Sequence, residues 1–365
     1  MCPRKCEVGD MSKKKPMSPA SRSAFINYGI VIVAFVVIQI LLGQGALSNT
    51  LQSLLVPVCC YIVMAVSLNL TVGVLGELSL GHAGFMSLGA FSGIIVSFAL
   101  KDVIAFGPLV LVISIVVGAV IGGIGGVLVG VPVLRLRGDY LAIVTLAFGE
   151  IIKNVIMVLY VGLDENGLHF ATSQSNLNMA YEGVAIIKGP MGAVGVTRLA
   201  TFTAGFILVL VTLVIVQNLV NSRAGRAILA LRDNRIAAES VGISVTKYKL
   251  MAFVTSAALA GAAGALFGLN YSSTMATRFD FNTSILILVF VVLGGLGSIR
   301  GSMIAAALLY ILPEMLRSFA ISEYRMLIYA IILILVMLFT NNPKLKDLIG
   351  KIVPKKAKKG GEANG

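Results

Sequence analysis

Long runs of hydrophobic residues are the feature of this sequence that most restricts its fold. A bilayer core of roughly 30 Å is crossed by about 20 apolar residues in a helix. Runs that approach this length lie near residues 26–43, 53–73, 83–100, 106–133, 140–160, 199–220, 250–270 and 324–340. Two shorter runs, 284–297 and 302–316, flank the glycines between Gly294 and Gly301. We therefore expect an all-α, polytopic membrane helical bundle with eight full spans plus a short helical pair, which is either two tilted spans or a re-entrant hairpin.

Composition excludes a soluble globular domain. Hydrophobic residues make up 58% of the 365 residues and charged residues 12%, whereas soluble domains have about half and about a quarter.

Positive charge is concentrated in alternate loops. The net charge is +13, and 21 of the 29 Lys and Arg residues lie in the tail 1–24, at Arg135 and Arg137, in the loop 221–249 and in the tail 341–365. This positive-inside pattern places both termini and the loop 221–249 in the cytoplasm, with residues 25–340 as the membrane domain. It favours topology over nucleic acid as the reason for the charge, with anionic lipid contact as a secondary consequence.

Small residues recur at intervals of four in two of the predicted spans. One span carries Gly118, Gly122, Gly126 and Gly130, and another carries Ala260, Gly264 and Gly268. Such stripes allow helix backbones to approach closely in a membrane. We expect them to pack within the bundle, with contacts between subunits as the alternative.

The stretch SLNLTVGVLGELSLGHAGF, residues 67–85, interrupts a hydrophobic run with polar residues and glycines. A spacing of two does not place side chains on one helical face, so we expect a helix end, an irregular turn and a new helix start. Irregular backbone in a membrane is buried in protein or lines a cavity. Two interpretations stay open, a purely structural turn and a translocation path. The candidate path residues are Ser67, Asn69, Thr71, Ser79 and His82 of this stretch and Glu150 of the span 140–160.

Glu150 and Lys153 lie inside a predicted span. A single charge near the membrane centre costs about 3 kcal/mol or more, and residues three apart lie on the same helix face. We expect the two to neutralise each other facing the bundle interior; a proton or ion relay is the alternative.

Motifs of catalysis and cofactor binding are absent from the sequence. The glycines of VVLGGLGSIRGSM, residues 291–303, are not followed by the strand, helix and acidic residue of a dinucleotide site, and predict a turn between two short helices. There is no P-loop, and two histidines, His82 and His169, do not support a metal or triad site. We predict no cofactor, no metal and no catalytic activity in this chain.

The most polar internal stretch, ALRDNRIAAESVGISVTKYKL, covers residues 230–250. One helix through it would place Ile228, Leu231, Ala238 and Val241 along one side, with Arg232, Arg235 and Glu239 available to solvent or a partner. Gly242 is suited to end that helix. Such an amphipathic helix either docks on a partner or rests on lipid headgroups.

Five ordered motifs resemble the membrane permease of branched-chain amino acid ABC importers, the LivM type, over roughly residues 50–342. They are GELSLGHAGF, LRLRGDYLAIVTLAFGEI, RDNRIAAESVGISVTKYKLMAF, VVLGGLGSIRG and YRMLIYAIILILVMLF. One departure is Glu77, where the family more often has Gln.

The resemblance implies a multi-pass subunit of the bacterial plasma membrane that has no ATPase activity of its own. Its implied partners are a second permease subunit of the LivH type, two cytoplasmic ABC ATPase subunits and an extracytoplasmic binding protein, for which the loop 161–198 is our candidate contact. Such permeases carry an ATPase-docking loop with the signature E-A-A-x-x-x-G. The matching residues are Ile236, where Glu is expected, with Ala237, Ala238 and Gly242, and the flanking Arg232, Asp233, Arg235 and Glu239 complete the candidate coupling set.

The substrate is the least determined part of the prediction. The resemblance implies aliphatic amino acids, while related permeases carry urea, amides or other amino acids. A different class, a single-chain ion-coupled transporter that uses Glu150, Lys153 and His82, predicts uptake by this chain alone.

Overall fold

The computed structural model describes residues 19–45, 48–101, 103–134, 139–164, 167–176 and 183–317 and the single positions 327, 330, 331 and 334. This part of the chain contains eleven α-helices and five short strands. The helices are α1 (Pro19–Gly43), α2 (Asn49–Asn69), α3 (His82–Lys101), α4 (Gly107–Val133), α5 (Asp139–Val158), α6 (Phe202–Asn221), α7 (Arg223–Asp233), α8 (Arg235–Ser240), α9 (Val245–Gly268), α10 (Phe281–Gly294) and α11 (Ile299–Arg317). Helix α1 belongs to a unit of its own, Met1–Ala46, and the other elements belong to a second unit, Leu47–Gly365.

Six of the described helices, rather than the expected eight, are long and apolar enough to cross a membrane. They are α2 with its continuation to Leu75, α3, α4, α5, α6 and α9. The apolar part of α1 is shorter, Asn27–Gly43, and the expected span 324–340 lies outside the described ranges except for single positions. The short pair is confirmed as α10 and α11, and α10, with 14 residues, is only about 21 Å long.

Helix α9 packs against both α3 and α4 through its small residues. One stripe of α9 meets the glycine stripe of α4, where a Cβ added to Gly122 would lie 2.7 Å from the carbonyl oxygen of Ala257. The other stripe meets α3, where a Cβ on Gly264 would lie 1.9 Å from the carbonyl oxygen of Met86. The expectation that both stripes pack within the bundle is therefore confirmed, and backbone contact joins the three helices.

Helix α2 is buried along most of its length and packs on α6, α9, α10 and α11. Its Tyr61 ring stacks on Tyr310 of α11 with centroids 4.4 Å apart, and meets Phe267 of α9 and Phe290 of α10 edge-on. This aromatic cluster attaches the α10–α11 pair to the centre of the bundle.

A small antiparallel sheet corrects the all-α expectation. Its strands are β1 (Tyr160–Asp164), β2 (Gly167–Ala171), β3 (Val184–Lys188), β4 (Ala193–Val194) and β5 (Ser273–Thr274), in the order β2-β1-β3-β4-β5. The loop 161–198 thus forms most of a sheet, which β5 completes from the segment after α9. Because the strands are short and come from two distant segments, their sequence pattern was too weak to predict them.

We predict that Gly261 of α9 tolerates no side chain. A Cβ there would lie 2.3 Å from the carbonyl oxygen of Gly118, and the obstacle is backbone. Gly261→Ala should therefore destabilise the protein by at least about 2 kcal/mol, seen as earlier loss of the monodisperse peak after heating in detergent. Gly123→Ala is the matched control, because its Cβ would lie 3.5 Å from the nearest atom, the Cβ of Ala258, and Ala favours helix. Equal stability of the two variants would contradict the packing argument.

Candidate functional site

The helix break expected within residues 67–85 is present and is built from a π-helical turn. Helix α2 ends at Asn69 and continues as a π-helix over Leu70–Leu75, after which Gly76 takes a φ of 80°. Residues 77–81 are not helical, and α3 starts at His82. The last carbonyls of a helical segment have no partner within it. The break therefore offers backbone groups to neighbouring elements.

Five of the six candidate path residues are buried at this break. Ser67 Oγ lies 2.8 Å from His82 Nε2, which ties the end of α2 to the start of α3. Thr71 Oγ1 donates to the Leu68 carbonyl over 2.9 Å. The Ser79 hydroxyl is buried without a hydrogen-bond partner in the described part of the chain, which is unusual because a buried polar group left unpaired costs stability.

Asn69, the fifth, joins the break to the turn between α10 and α11. Its side-chain oxygen accepts from the Gly297 N–H over 2.8 Å, and its Nδ2 donates to Ser302 Oγ over 2.9 Å. The approach is close enough that a Cβ on Gly73 would lie 2.3 Å from the Gly297 nitrogen. The predicted glycine turn over residues 295–298 is thus confirmed, and its contact with the α2 break is a feature that sequence reasoning missed.

Glu150 lies on α5, outside the break, at a cleft that Leu80 and Gly84 on either side of His82 also line. It forms the predicted ion pair with Lys153 on α5, and its second oxygen accepts from the Phe281 N–H at the start of α10 over 3.1 Å. A narrow cleft is lined by Glu150 together with Leu80, Gly84, Leu146, Gly149, Phe279, Asp280, Phe281 and Ser284.

Two helices, and not one, occupy the polar stretch. Helix α7 ends at Asp233, Asn234 is extended, and α8 begins at Arg235. The Asn234 side chain accepts from the Ala237 N–H over 3.1 Å, and this cap makes a second helix start more favourable than continuation. The single-helix expectation is therefore wrong at Asn234.

The end of α8 follows the prediction at Gly242. That residue has a φ of 83°, and the Gly242 and Ile243 N–H groups donate to the carbonyls of Glu239 and Ala238. These bonds form a Schellman motif, which needs a left-handed residue. The coupling candidates around it divide by exposure: Ala238 is buried with Ile228 and Leu231, whereas Asp233, Ile236, Ala237, Glu239 and Gly242 are exposed and Arg235 pairs with Glu239. Val241, expected on the buried side, is 75% exposed because the break at Asn234 rotates α8 relative to α7.

Two cations link this polar stretch to the α2 break, and the sequence did not indicate either contact. Arg232 Nη1 donates to the Gly73 carbonyl over 2.7 Å. Lys249 forms an ion pair with Glu77, and its side chain is 8% exposed. In the sequence, Lys247 and Lys249 at the start of a span both fit a role as anchors at the membrane interface. Only the tertiary structure shows that Lys249 is buried and Lys247 is exposed.

We predict that Asn69→Ala destabilises the protein by about 1–3 kcal/mol, because the Gly297 N–H would lose its acceptor in a partly buried site. Ser92→Ala is the control: its hydroxyl bonds only the Gly89 carbonyl one turn earlier on the same helix. Thermal unfolding of both variants in detergent measures the difference. An Asn69→Ala variant as stable as Ser92→Ala would show that the contact contributes little.

Comparison with known proteins finds relatives of this chain among transport permeases. The LivM permease protein of the high-affinity branched-chain amino acid transport system of Salmonella typhimurium is 30% identical, over 98% of this chain and 83% of its own length. The Escherichia coli LivM protein is also 30% identical, over 90% of this chain and 77% of its own length. A nucleoside ABC transporter permease protein from Lactococcus lactis is 26% identical over 57% of this chain.

No solved structure matches the chain. The model of the family described as branched-chain amino acid transport system / permease component matches residues 50–337, which include both sides of the helix break, the polar helices α7 and α8 and the α10–α11 pair. The chain is therefore a membrane protein and belongs to this family of ABC transporter permeases.

Proposed function

We propose that this chain is the membrane-spanning permease subunit of an importer for branched-chain amino acids, working with a second permease subunit, two ATPase subunits and an extracytoplasmic binding protein. The observation that carries the proposal is the similarity to two LivM proteins across nearly the whole chain, combined with a capped, exposed helix at the position of the coupling signature. Related permeases with nucleoside and sugar names are less similar to this chain, at 24–26% identity.

Helices α7 and α8 face the cytoplasm in this proposal, and the sheet faces the opposite side. The support is that α6, which has 20 residues and is about 30 Å long, connects β4 to α7. The positive charge of the 221–249 loop then lies on the cytoplasmic side. The sheet exposes Leu168, Phe170 and Met191, and we assign this surface to contact with the binding protein.

The ATPase contact is formed by the exposed face of α8. Ile236 is 80% exposed and lies beside exposed Ala237, with Val241 following at the end of the helix. Apolar side chains this exposed on a polar helix mark an interaction surface. On the opposite side of α8, buried Ala238 packs against the rest of the protein. A movement of the ATPase subunit bound to the exposed face would therefore be transmitted to the membrane domain. Resting on lipid headgroups is the alternative, and the following experiment separates the two.

We predict that Ile236→Asp lowers the affinity for the ATPase subunits at least about tenfold, because it places a charge at the centre of the proposed contact. Thr246→Asp is the matched control, exposed in the first turn of α9. The readout is co-purification of the ATPase subunits with the tagged permease, together with ATP-driven uptake in vesicles. Full assembly and uptake with Ile236→Asp would favour the lipid alternative.

We propose that the translocation path follows the helix break, past Ser67, Asn69, Thr71, Ser79 and His82, with Glu150 at the neighbouring cleft. What supports this is the concentration of buried polar side chains at one irregular segment and the unpaired Ser79 hydroxyl. The existing hydrogen bonds close the segment in this conformation, so transport requires that they exchange partners.

The substrate is tested by uptake into vesicles containing the complete complex. We expect labelled leucine, isoleucine or valine to accumulate with ATP, to be blocked by vanadate, and to be unaffected when ion gradients are collapsed. Accumulation of labelled nucleoside, urea or amide instead would replace the substrate and keep the importer. Uptake by this chain alone, lost on collapsing an ion gradient, would replace the whole proposal by the single-chain transporter.

A further inference from the structure

We propose that the segment Gly73–Glu77, here called the receiver turn, takes up the movement of α7 and α8, and that Arg232 and Lys249 are the positioning residues that fasten it. The inference rests on the proposed function, since it assumes that an ATPase moves α7 and α8. It adds the route by which that movement enters the membrane domain, which neither the coupling signature nor the family resemblance specifies.

Arg232 fastens the first end of the receiver turn. Its guanidinium donates to the Gly73 carbonyl, which lies near the C-terminal end of the π-helical segment, where carbonyls have no partner within the helix. Its aliphatic stem lies against Gly76, where an added Cβ would be 3.0 Å from Arg232 Cγ. Both a charge-assisted hydrogen bond and a packing contact therefore join α7 to the turn.

Lys249 fastens the other end. It lies near the start of α9, as the fifth residue of the helix, and pairs with Glu77; the Lys249 side chain is 8% exposed and that of Glu77 is 17% exposed. Separating such a pair leaves a poorly solvated charge without a partner, which is strongly unfavourable. The receiver turn is thus bound at two points, by Arg232 at the end of α7 and by Lys249 near the start of α9. These two residues lie on either side of α8 in the chain.

The receiver turn is connected onward to three other parts of the bundle. Gly73 lies against Gly297 in the α10–α11 turn, which Asn69 also holds. Beyond Glu77 the chain reaches the Leu80 N–H, which donates to Thr145 Oγ1 of α5 over 3.1 Å. It then enters α3 at His82, bonded to Ser67 of α2. Displacing the receiver turn therefore displaces the residues assigned to the path.

Arg232→Ala tests the first attachment in the reconstituted complex. We expect ATPase subunits to co-purify and hydrolyse ATP, while uptake per ATP falls roughly tenfold, within the range of allosteric coupling factors. Arg226→Ala is the matched control, an exposed arginine on another face of α7. Uptake per ATP at the wild-type level would overturn the inference. Loss of ATPase co-purification would place Arg232 in the docking surface and also overturn it as a receiver contact.

A disulfide supplies a gain-of-function test that does not depend on tolerance of the alanine. A Cβ on Gly76 would lie 3.7 Å from the Cβ of Arg232, within the roughly 3.5–4.5 Å that disulfides require. In a background without the native cysteines, Gly76→Cys with Arg232→Cys should couple poorly when reduced and regain uptake when oxidised. Gly76→Cys alone controls for strain, because Gly76 has a φ of 80°. An oxidised, inactive double variant would show that the turn must separate from α7, contrary to the inference.

The second attachment is tested by charge exchange. Glu77→Gln and Lys249→Gln should each lower uptake per ATP, and Glu77→Lys combined with Lys249→Glu should recover part of it, because the pair is re-formed with reversed polarity. No recovery by the exchange, with the double variant folded and assembled, would remove Lys249 from the route. The proposed docking on α8 is refuted by a different result, full assembly and uptake with Ile236→Asp, so the two hypotheses fail differently.

Discussion

The structure depends on satisfying backbone hydrogen-bonding groups wherever a helix stops inside a membrane protein. Hydrocarbon offers no partners for a free N–H or carbonyl, so each helix break must obtain them from other elements. Here the Gly73 carbonyl accepts a hydrogen bond from Arg232. The N–H groups of Gly297, Leu80 and Phe281 donate to the side chains of Asn69, Thr145 and Glu150, respectively. Each of these bonds joins the end of one helix to another element, and two of them, from Thr145 and Glu150, use α5.

Glycine and alanine make this arrangement possible in two ways. Along α3, α4 and α9 they remove side chains, so that backbones touch and the three helices form one close-packed group. At Gly73 the missing side chain lets the α10–α11 turn approach the break within hydrogen-bonding distance of Asn69. A close-packed group of three helices and a set of polar bonds between elements thus lie side by side.

Much of the architecture followed from sequence because its causes are local. The length of the hydrophobic runs predicted the long helices. The repeat of small residues every four positions predicted the close packing that α4 and α9 show. Polar residues and glycines at 67–85 predicted the break, and Gly242 predicted the end of α8. Six of the eight predicted spans correspond to described helices long enough to cross a membrane; of the other two, α1 has a shorter apolar part and 324–340 lies outside the described ranges except for single positions.

The candidate site was only partly predictable, since its decisive contacts join residues far apart in the chain. Nothing local to Arg232 or Lys249 indicates that one meets the Gly73 carbonyl and the other a partly buried Glu77. The cap at Asn234 is local, but the helical pattern that continues on both sides of it obscured this signal. The sequence by itself determined a membrane protein of this permease family, with its helix break and its polar helices, because hydrophobicity, glycine content and motif order are properties of short segments. Only the tertiary structure decided which freed backbone group pairs with which side chain, because such pairing depends on distances between helices.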